Sequence, residues 1–123
     1  MDLYVTKMSR SIMPAMTNRN STLFGGKLLS WMDEIAGITA ARYANSKVAT
    51  VAIETVLFMK PICGGDFIDV EGRILSVGKT SLRVMIEVSV DKGNGRRENA
   101  AEAVFVYVAL DESGKPKKVV EEI

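Results

Sequence analysis

A single stretch of helical periodicity runs through this sequence. From Asn18 to Tyr43 an apolar repeat continues for roughly five turns, against about three in an average helix. From Lys47 onward the pattern changes to strands. At 123 residues the chain is one domain, residues 1–123, with length enough to bury one core. One helix and several long strands must therefore share that core. The expected fold class is α+β, an antiparallel sheet lying across one long helix.

Spacing residues at about 100° around the helix puts Leu28, Leu29, Met32, Ile35, Ala36, Thr39 and Tyr43 on one broad face, which is core. Trp31 and Ile38 fall on the other side among Lys27, Glu34 and Arg42, so something beyond the helix's own sheet is expected to cover that flank. Asp33 falls at the edge of the core stripe beside the small residues Gly37, Ala40 and Ala44, whereas Glu34 has polar neighbours. The loop Thr17 to Thr22 is rich in turn and cap formers, and Ser21 or Thr22 is expected to supply the N-cap oxygen. Gly25 and Gly26 follow, although a glycine inside a helix costs about 1 kcal/mol relative to alanine. Either they let the helix pack closely on the sheet, or something else approaches the backbone there. Bare amides at a helix N-terminus favour negative charge, including charge that develops on a carbonyl oxygen.

The strands are read from residue type and punctuation. Val5 to Met13 is a first strand ended by Pro14, and Val48 to Met59 is a long β-branched run closed by Lys60-Pro61. Gly64-Gly65 turns the chain into Phe67 to Val77, and Gly78-Lys79 is a two-residue turn into the clearest alternation. There Leu82, Val84, Ile86, Val88 and Val90 face one way and Ser81, Arg83, Met85, Glu87 and Ser89 the other. Asp91 to Arg97 reads as a polar loop, and Ala101 to Leu110 as a central strand apolar on both faces. Asp111 to Pro116 closes the domain, leaving a charged tail from Lys117 to Ile123 that frays or packs on a neighbour.

A net charge of +1 gives no electrostatic case for nucleic acid or an anionic membrane as partner. No apolar run approaches the roughly 18 residues of a membrane span, and Met1 to Tyr4 lacks the order of a signal peptide, so the expected location is cytoplasmic. Cys63 is the only cysteine and is read as a small buried hydrophobe. The sequence has no histidine. Histidine-dependent triads and zinc sites are thereby excluded, and any catalysis must rest on carboxylates, amides, hydroxyls or backbone.

Several blocks in fixed order then become specific. Thr17-Asn18-Arg19-Asn20-Ser21-Thr22-Leu23-Phe24-Gly25-Gly26 and Met32-Asp33-Glu34-Ile35-Ala36-Gly37 resemble the signature of the hotdog-fold acyl-CoA thioesterases, the acyl-CoA hydrolase branch. The resemblance continues through Phe58-Met59-Lys60-Pro61, Gly65-Asp66, Gly78-Lys79-Thr80-Ser81 and Val106-Tyr107-Val108-Ala109-Leu110-Asp111. In that family a sheet wraps a central helix, two units form a dimer with a continuous sheet, and dimers often assemble into hexamers. The family pattern commonly has glycine where this chain has Ser21.

The resemblance implies hydrolysis of acyl-CoA to the free acid and coenzyme A, with no metal or organic cofactor. Asp33 would be the catalytic carboxylate, as general base or nucleophile. Asn18 would position the water or the thioester, and the amide at Gly26, next to Gly25, would polarise the carbonyl. Lys60, Ser81 and Arg83 are the candidates for holding coenzyme A, among basic residues that are mostly solvated charges. Leu29, Met32, Phe58 and Met85 are candidates for an acyl pocket, with core packing the competing role. Asp33 lies about 10 Å beyond Gly26 along a helix axis, too far for one carbonyl to touch both. A base must reach its water within about 3 Å, so the two features are expected to come from different subunits of a homo-oligomer. The competing functional readings are a non-catalytic acyl-CoA-binding or regulatory protein of the same fold and a purely structural oligomeric module. A dehydratase of this fold resembles a pattern with a catalytic histidine, which is absent here.

Overall fold

A computed structural model of the chain describes residues 4–119. In chain order the elements are β1 (Thr6–Ser11), a short 3-10 turn (Pro14–Met16), α1 (Gly25–Ala44), β2 (Lys47–Phe58), β3 (Phe67–Val77), β4 (Ser81–Gly93) and β5 (Arg96–Leu110). The five strands form one antiparallel sheet in the order β1-β3-β4-β5-β2. The twenty residues of α1 span about 30 Å across one face of that sheet. This is the hotdog architecture.

The core lies between helix and sheet. Met32, Ala36, Thr39 and Ala40 are fully buried on α1, facing Val70 on β3, Val84, Ile86 and Val88 on β4, and Phe105 on β5. The predicted inward set of β4, Leu82 to Val90, is buried throughout. The helix packs tightly on the sheet at Gly72. A methyl group there would lie 2.8 Å from Ile86 Cδ1, 2.9 Å from Thr39 Oγ1 and 3.2 Å from Ile35 Cγ2. Only a residue without Cβ lets α1 lie this near β3.

Five expectations need correction. The segment Asp91 to Arg97 is not a loop: β4 runs to Gly93, β5 starts at Arg96, and only Asn94-Gly95 remains as a tight turn. Positive φ at Gly93, Asn94 and Gly95 closes it, the geometry that Asn-Gly permits in a hairpin. The helix N-cap is Phe24, which makes no side-chain cap bond, rather than Ser21 or Thr22. The Thr22 hydroxyl is committed elsewhere, donating to Asn18 Oδ1 at 3.1 Å. Trp31 does not need a cover from outside, because the Arg10 guanidinium of β1 lies 4.4 Å over its ring and leaves it 8% exposed. Ile38 stays 40% exposed on that flank. Cys63 is exposed rather than buried, since its neighbour Ile62 takes the inward place. Finally, the part of the tail that is described packs on its own chain: Val119 is buried and its amide donates to Lys79 O at 2.7 Å. The rest of the tail and Met1 to Leu3 lie outside the described residues.

β5 is central, as expected, but buried on its helix-facing side only; Glu102 to Leu110 on the opposite face are half-buried. β2 forms one edge of the sheet, with Val51, Ile53, Leu57 and Phe58 exposed by 41–56%. No helix among the described residues is long and apolar enough to cross a membrane.

Gly72→Ala should lower stability by about 1–3 kcal/mol through overpacking between α1 and the sheet. Thermal unfolding checks this; an unchanged midpoint would show that the helix can retreat without cost.

Candidate active site

The helix N-terminus is built by the Asn18 loop. Asn18 Oδ1 accepts from the amides of Asn20 (2.9 Å) and Thr22 (3.3 Å), while the Asn18 amide donates to Thr22 O at 2.8 Å. Ser21, at φ 62°, completes the loop in the left-handed region where glycine costs least. With Oδ1 used as a clasp, the group Asn18 retains for a ligand is its Nδ2 donor. An isolated bridge from Thr22 to Cys63 and a 2.7 Å bond from Leu23 N–H to Ile62 O tie the loop to the segment after β2.

The absence of a side-chain cap has a chemical consequence. Among the described residues the amides of Gly25, Gly26 and Lys27 have no acceptor, and the helix ladder starts only with Leu28 donating to Phe24 O at 3.1 Å. No acidic residue stands in the first turn to occupy them. A Cβ at Gly26 would meet nothing within 4 Å, and at Gly25 only Phe58 Cζ at 3.8 Å. Packing within this chain therefore does not require glycine at Gly26, and the amides stand ready for an oxyanion.

Asp33 lies two turns further along, partly buried, on the side of the helix that faces β5 and β2. Its Oδ1 accepts from Thr50 Oγ1 at 3.1 Å and, in a short bond, from the Tyr107 hydroxyl. The same hydroxyl is 2.8 Å from the main-chain oxygen of Asp33. Among the described residues nothing donates to Oδ2. One oxygen of the carboxylate is thus fixed by two strands and the other faces outward. Burial first, then the Asp33 carboxylate, pushes the Tyr107 hydroxyl well above its ordinary pKa, so it is a protonated donor at neutral pH.

The other expected residues separate. Lys60 lines a cleft of about 220 Å³ with Thr22, Gly25, Leu28 and Phe58, beside the helix N-terminus, and pairs with Glu98 at 3.5 Å. Ser81 and Arg83 line a different cleft of about 370 Å³ on the face of the sheet away from the helix, where Arg83 forms a short ion pair with Glu54. Within one chain they share no site with Lys60. Of the acyl-pocket candidates, Met32 is core, Leu29 packs on the core, Met85 lies on the outer face, and Phe58 lines the cleft beside the helix N-terminus. Two partners of Asp33 escaped the sequence reading. Thr50 sits on an edge strand with no distinguishing pattern. Tyr107 does carry a signal, because a phenol in an apolar strand needs a hydrogen-bond partner.

A sheet wrapped round one helix, with bare amides at its start and a hydrogen-bonded aspartate two turns on, defines a hotdog-fold thioesterase. Comparison with known proteins agrees. Residues 20–95 match the model of the thioesterase superfamily. The chain is 42% identical over 109 residues to the acyl-CoA thioester hydrolase YciA of Escherichia coli, covering 85% of this chain and 83% of that protein. It is 41% identical over 116 residues to the uncharacterized acyl-CoA thioester hydrolase YkhA of Bacillus subtilis, covering 94% and 67%. Among solved structures, the acyl-CoA hydrolase of Staphylococcus aureus in complex with butyryl coenzyme A and coenzyme A superposes with a TM-score of 0.92 at 36% identity, covering 94% and 71%. A hexameric thioesterase from Yersinia pestis gives 0.84 at 39% identity, covering 93% of each chain. The chain belongs to the thioesterase superfamily and, within it, to the acyl-CoA thioester hydrolases.

Because Gly26 has open space around it, Gly26→Ala should leave the thermal midpoint unchanged or slightly higher while slowing thioester hydrolysis on the order of tenfold or more. Parallel unfolding and thiol-release measurements check it; unimpaired hydrolysis would remove this amide from the site.

Proposed function

We propose that this acyl-CoA thioesterase hydrolyses its substrate at a site shared by two subunits, with Asp33 of one and Asn18 and the Gly26 amide of the other acting on one thioester. Asp33 Oδ2 takes a proton from water as the water oxygen attacks the carbonyl carbon. Charge building on the carbonyl oxygen is met by the first-turn amides and the Asn18 Nδ2 donor. Collapse breaks the carbon–sulfur bond, and the coenzyme A thiolate takes the proton back, leaving free acid and thiol. In this reading hydrolysis runs without a metal or organic cofactor.

The observation that carries the shared site is the layout along β2. Phe58, at the C-terminal end of the strand, would touch a Cβ on Gly25, while Thr50, near its start, bonds Asp33. Among the described residues no strand pairs with the outer edge of β2, and the strand exposes apolar side chains. Antiparallel pairing of two copies of this edge about a twofold axis would set the helix N-terminus of one chain beside Asp33 of the other and extend the sheet. Within one chain the unbroken helix holds the two about 10 Å apart.

Two features of relatives support this reading. The Staphylococcus aureus hydrolase has been solved with an aspartate, a threonine and an asparagine each changed to alanine. Those positions are separated by the same numbers of residues as Asn18, Asp33 and Thr50 here. Hexameric relatives favour assembly of three such dimers. Gly25 and Lys60 would then border the thioester, and Ser81 and Arg83 would serve coenzyme A only across a subunit boundary. The proposed setting is the cytoplasm, a reducing compartment suited to a chain whose one cysteine is exposed.

Thiol release across a series of acyl chain lengths tests the reading. Wild-type protein should release coenzyme A, and Asp33→Ala should lower kcat about a hundredfold or more. Tight acyl-CoA binding without release would favour a binding protein, and no binding would remove both.

A further inference from the structure

Tyr107 is the residue whose chemistry the mechanism above leaves unused. It is 2% exposed on central strand β5, its ring stacked on Phe105 with centroids 6.5 Å apart and planes 22° from parallel. Such a ring has little rotational freedom. Its hydroxyl meets Asp33 twice, at Oδ1 and at the main-chain oxygen. On the helix side it passes Gly37, one turn beyond Asp33, where an added Cβ would sit 3.6 Å from the hydroxyl oxygen and 3.8 Å from the ring. The phenol therefore lies in a slot between the aspartate and the next turn of helix.

We propose that Tyr107 is a positioning residue for the reaction: its hydroxyl, carried on a rigid central strand, fixes the Asp33 carboxylate so that Oδ2 faces the attacking water. The inference rests on Asp33 being the base. Thr50, the other donor to Oδ1, belongs to the exposed edge strand β2, which has register shifts on both sides of Ala52 to Glu54. Of the two donors, Tyr107 is the one anchored in the core. A charge-assisted hydrogen bond from a fixed donor is strong and directional. One carboxylate oxygen so held leaves the second with a single orientation, which matters because small misplacements of a reacting group cost large factors in rate. The tyrosine touches neither water nor thioester, so its removal should act on kcat through Asp33 and hardly on substrate binding.

The test is steady-state thiol release from butyryl-CoA and palmitoyl-CoA by the full chain, together with thermal midpoints, for Tyr107→Phe, Asp33→Asn and the double variant. Tyr107→Phe keeps the ring and should lower kcat on the order of tenfold with KM changed less than about twofold. Asp33→Asn should lower kcat about a hundredfold or more. Because Tyr107 acts only through Asp33, the double variant should be no slower than Asp33→Asn alone. Placing 4-aminophenylalanine at 107, which restores a donor at the same point, should recover most of the rate. If Tyr107→Phe fails to fold, 4-methylphenylalanine, which fills the hydroxyl's space without donating, replaces it with the same expected loss. Wild-type kcat in the donor-free variant, or losses that multiply in the double variant as a packing role predicts, would overturn the inference and leave Asp33 in place. Wild-type kcat in Asp33→Asn would overturn the reading of Asp33, and the inference with it.

Discussion

The close approach of α1 to β3 at Gly72 sets the position of everything else. Ile35 and Thr39 of the helix and Ile86 of β4 converge on the space where a side chain at 72 would be. The buried Thr39 hydroxyl is satisfied by Ile35 O of its own helix at 2.8 Å, so no polar group is stranded at the contact. Pinned there, the helix cannot roll without either opening a cavity over β4 or driving Met32 and Ala36 into the sheet. Its opposite flank is consequently fixed as well. That flank carries Asp33 toward β5 and β2, where Tyr107 and Thr50 receive it. A packing constraint on one side of the helix thus orients a carboxylate on the other.

Much of the fold was legible because both periods are strong. The change from helical to strand pattern at Lys47, the bounds of β3 and the inward set of β4 appear in the structure as read. What failed was local chemistry with two outcomes. Polar residues between Asp91 and Arg97 suit a loop or an extended hairpin equally, and the choice depends on pairing that the sequence does not display. Trp31 lies on the charged flank of a helical wheel, yet an arginine from a strand far away in sequence covers it. Thr22 has the right chemistry for a cap, but Asn18 competes for its hydroxyl and wins.

The candidate site divides along the same line. Glycines at a helix start break a local rule and draw attention to that end, whereas Asp33 and Asn18 are singled out by the family resemblance, since a carboxylate at the edge of an apolar stripe or an asparagine in a turn is more often structural. Thr50 breaks no local rule, and the Tyr107 phenol signals a need for a partner without naming it: the links to Asp33 span 17 and 74 positions respectively. The helix N-terminus illustrates how a missing interaction can be informative. Where a capping side-chain oxygen often meets one of a helix's first amides, α1 leaves Gly25 to Lys27 without one, beside a loop already closed by Asn18.

The central proposal is that the two ends of this helix serve different sites, so that one chain does not complete the chemistry alone. It is tested most directly by refolding Asn18→Ala and Asp33→Ala chains together in equal amounts, each inactive by itself. If sites are shared, half the dimers formed at random are mixed and each has one intact site, so roughly a quarter of wild-type activity should return. If both residues act within one chain, no mixed dimer has an intact site. Thiol release no higher than that of the separate variants, with mixed oligomers demonstrably present, would contradict the account.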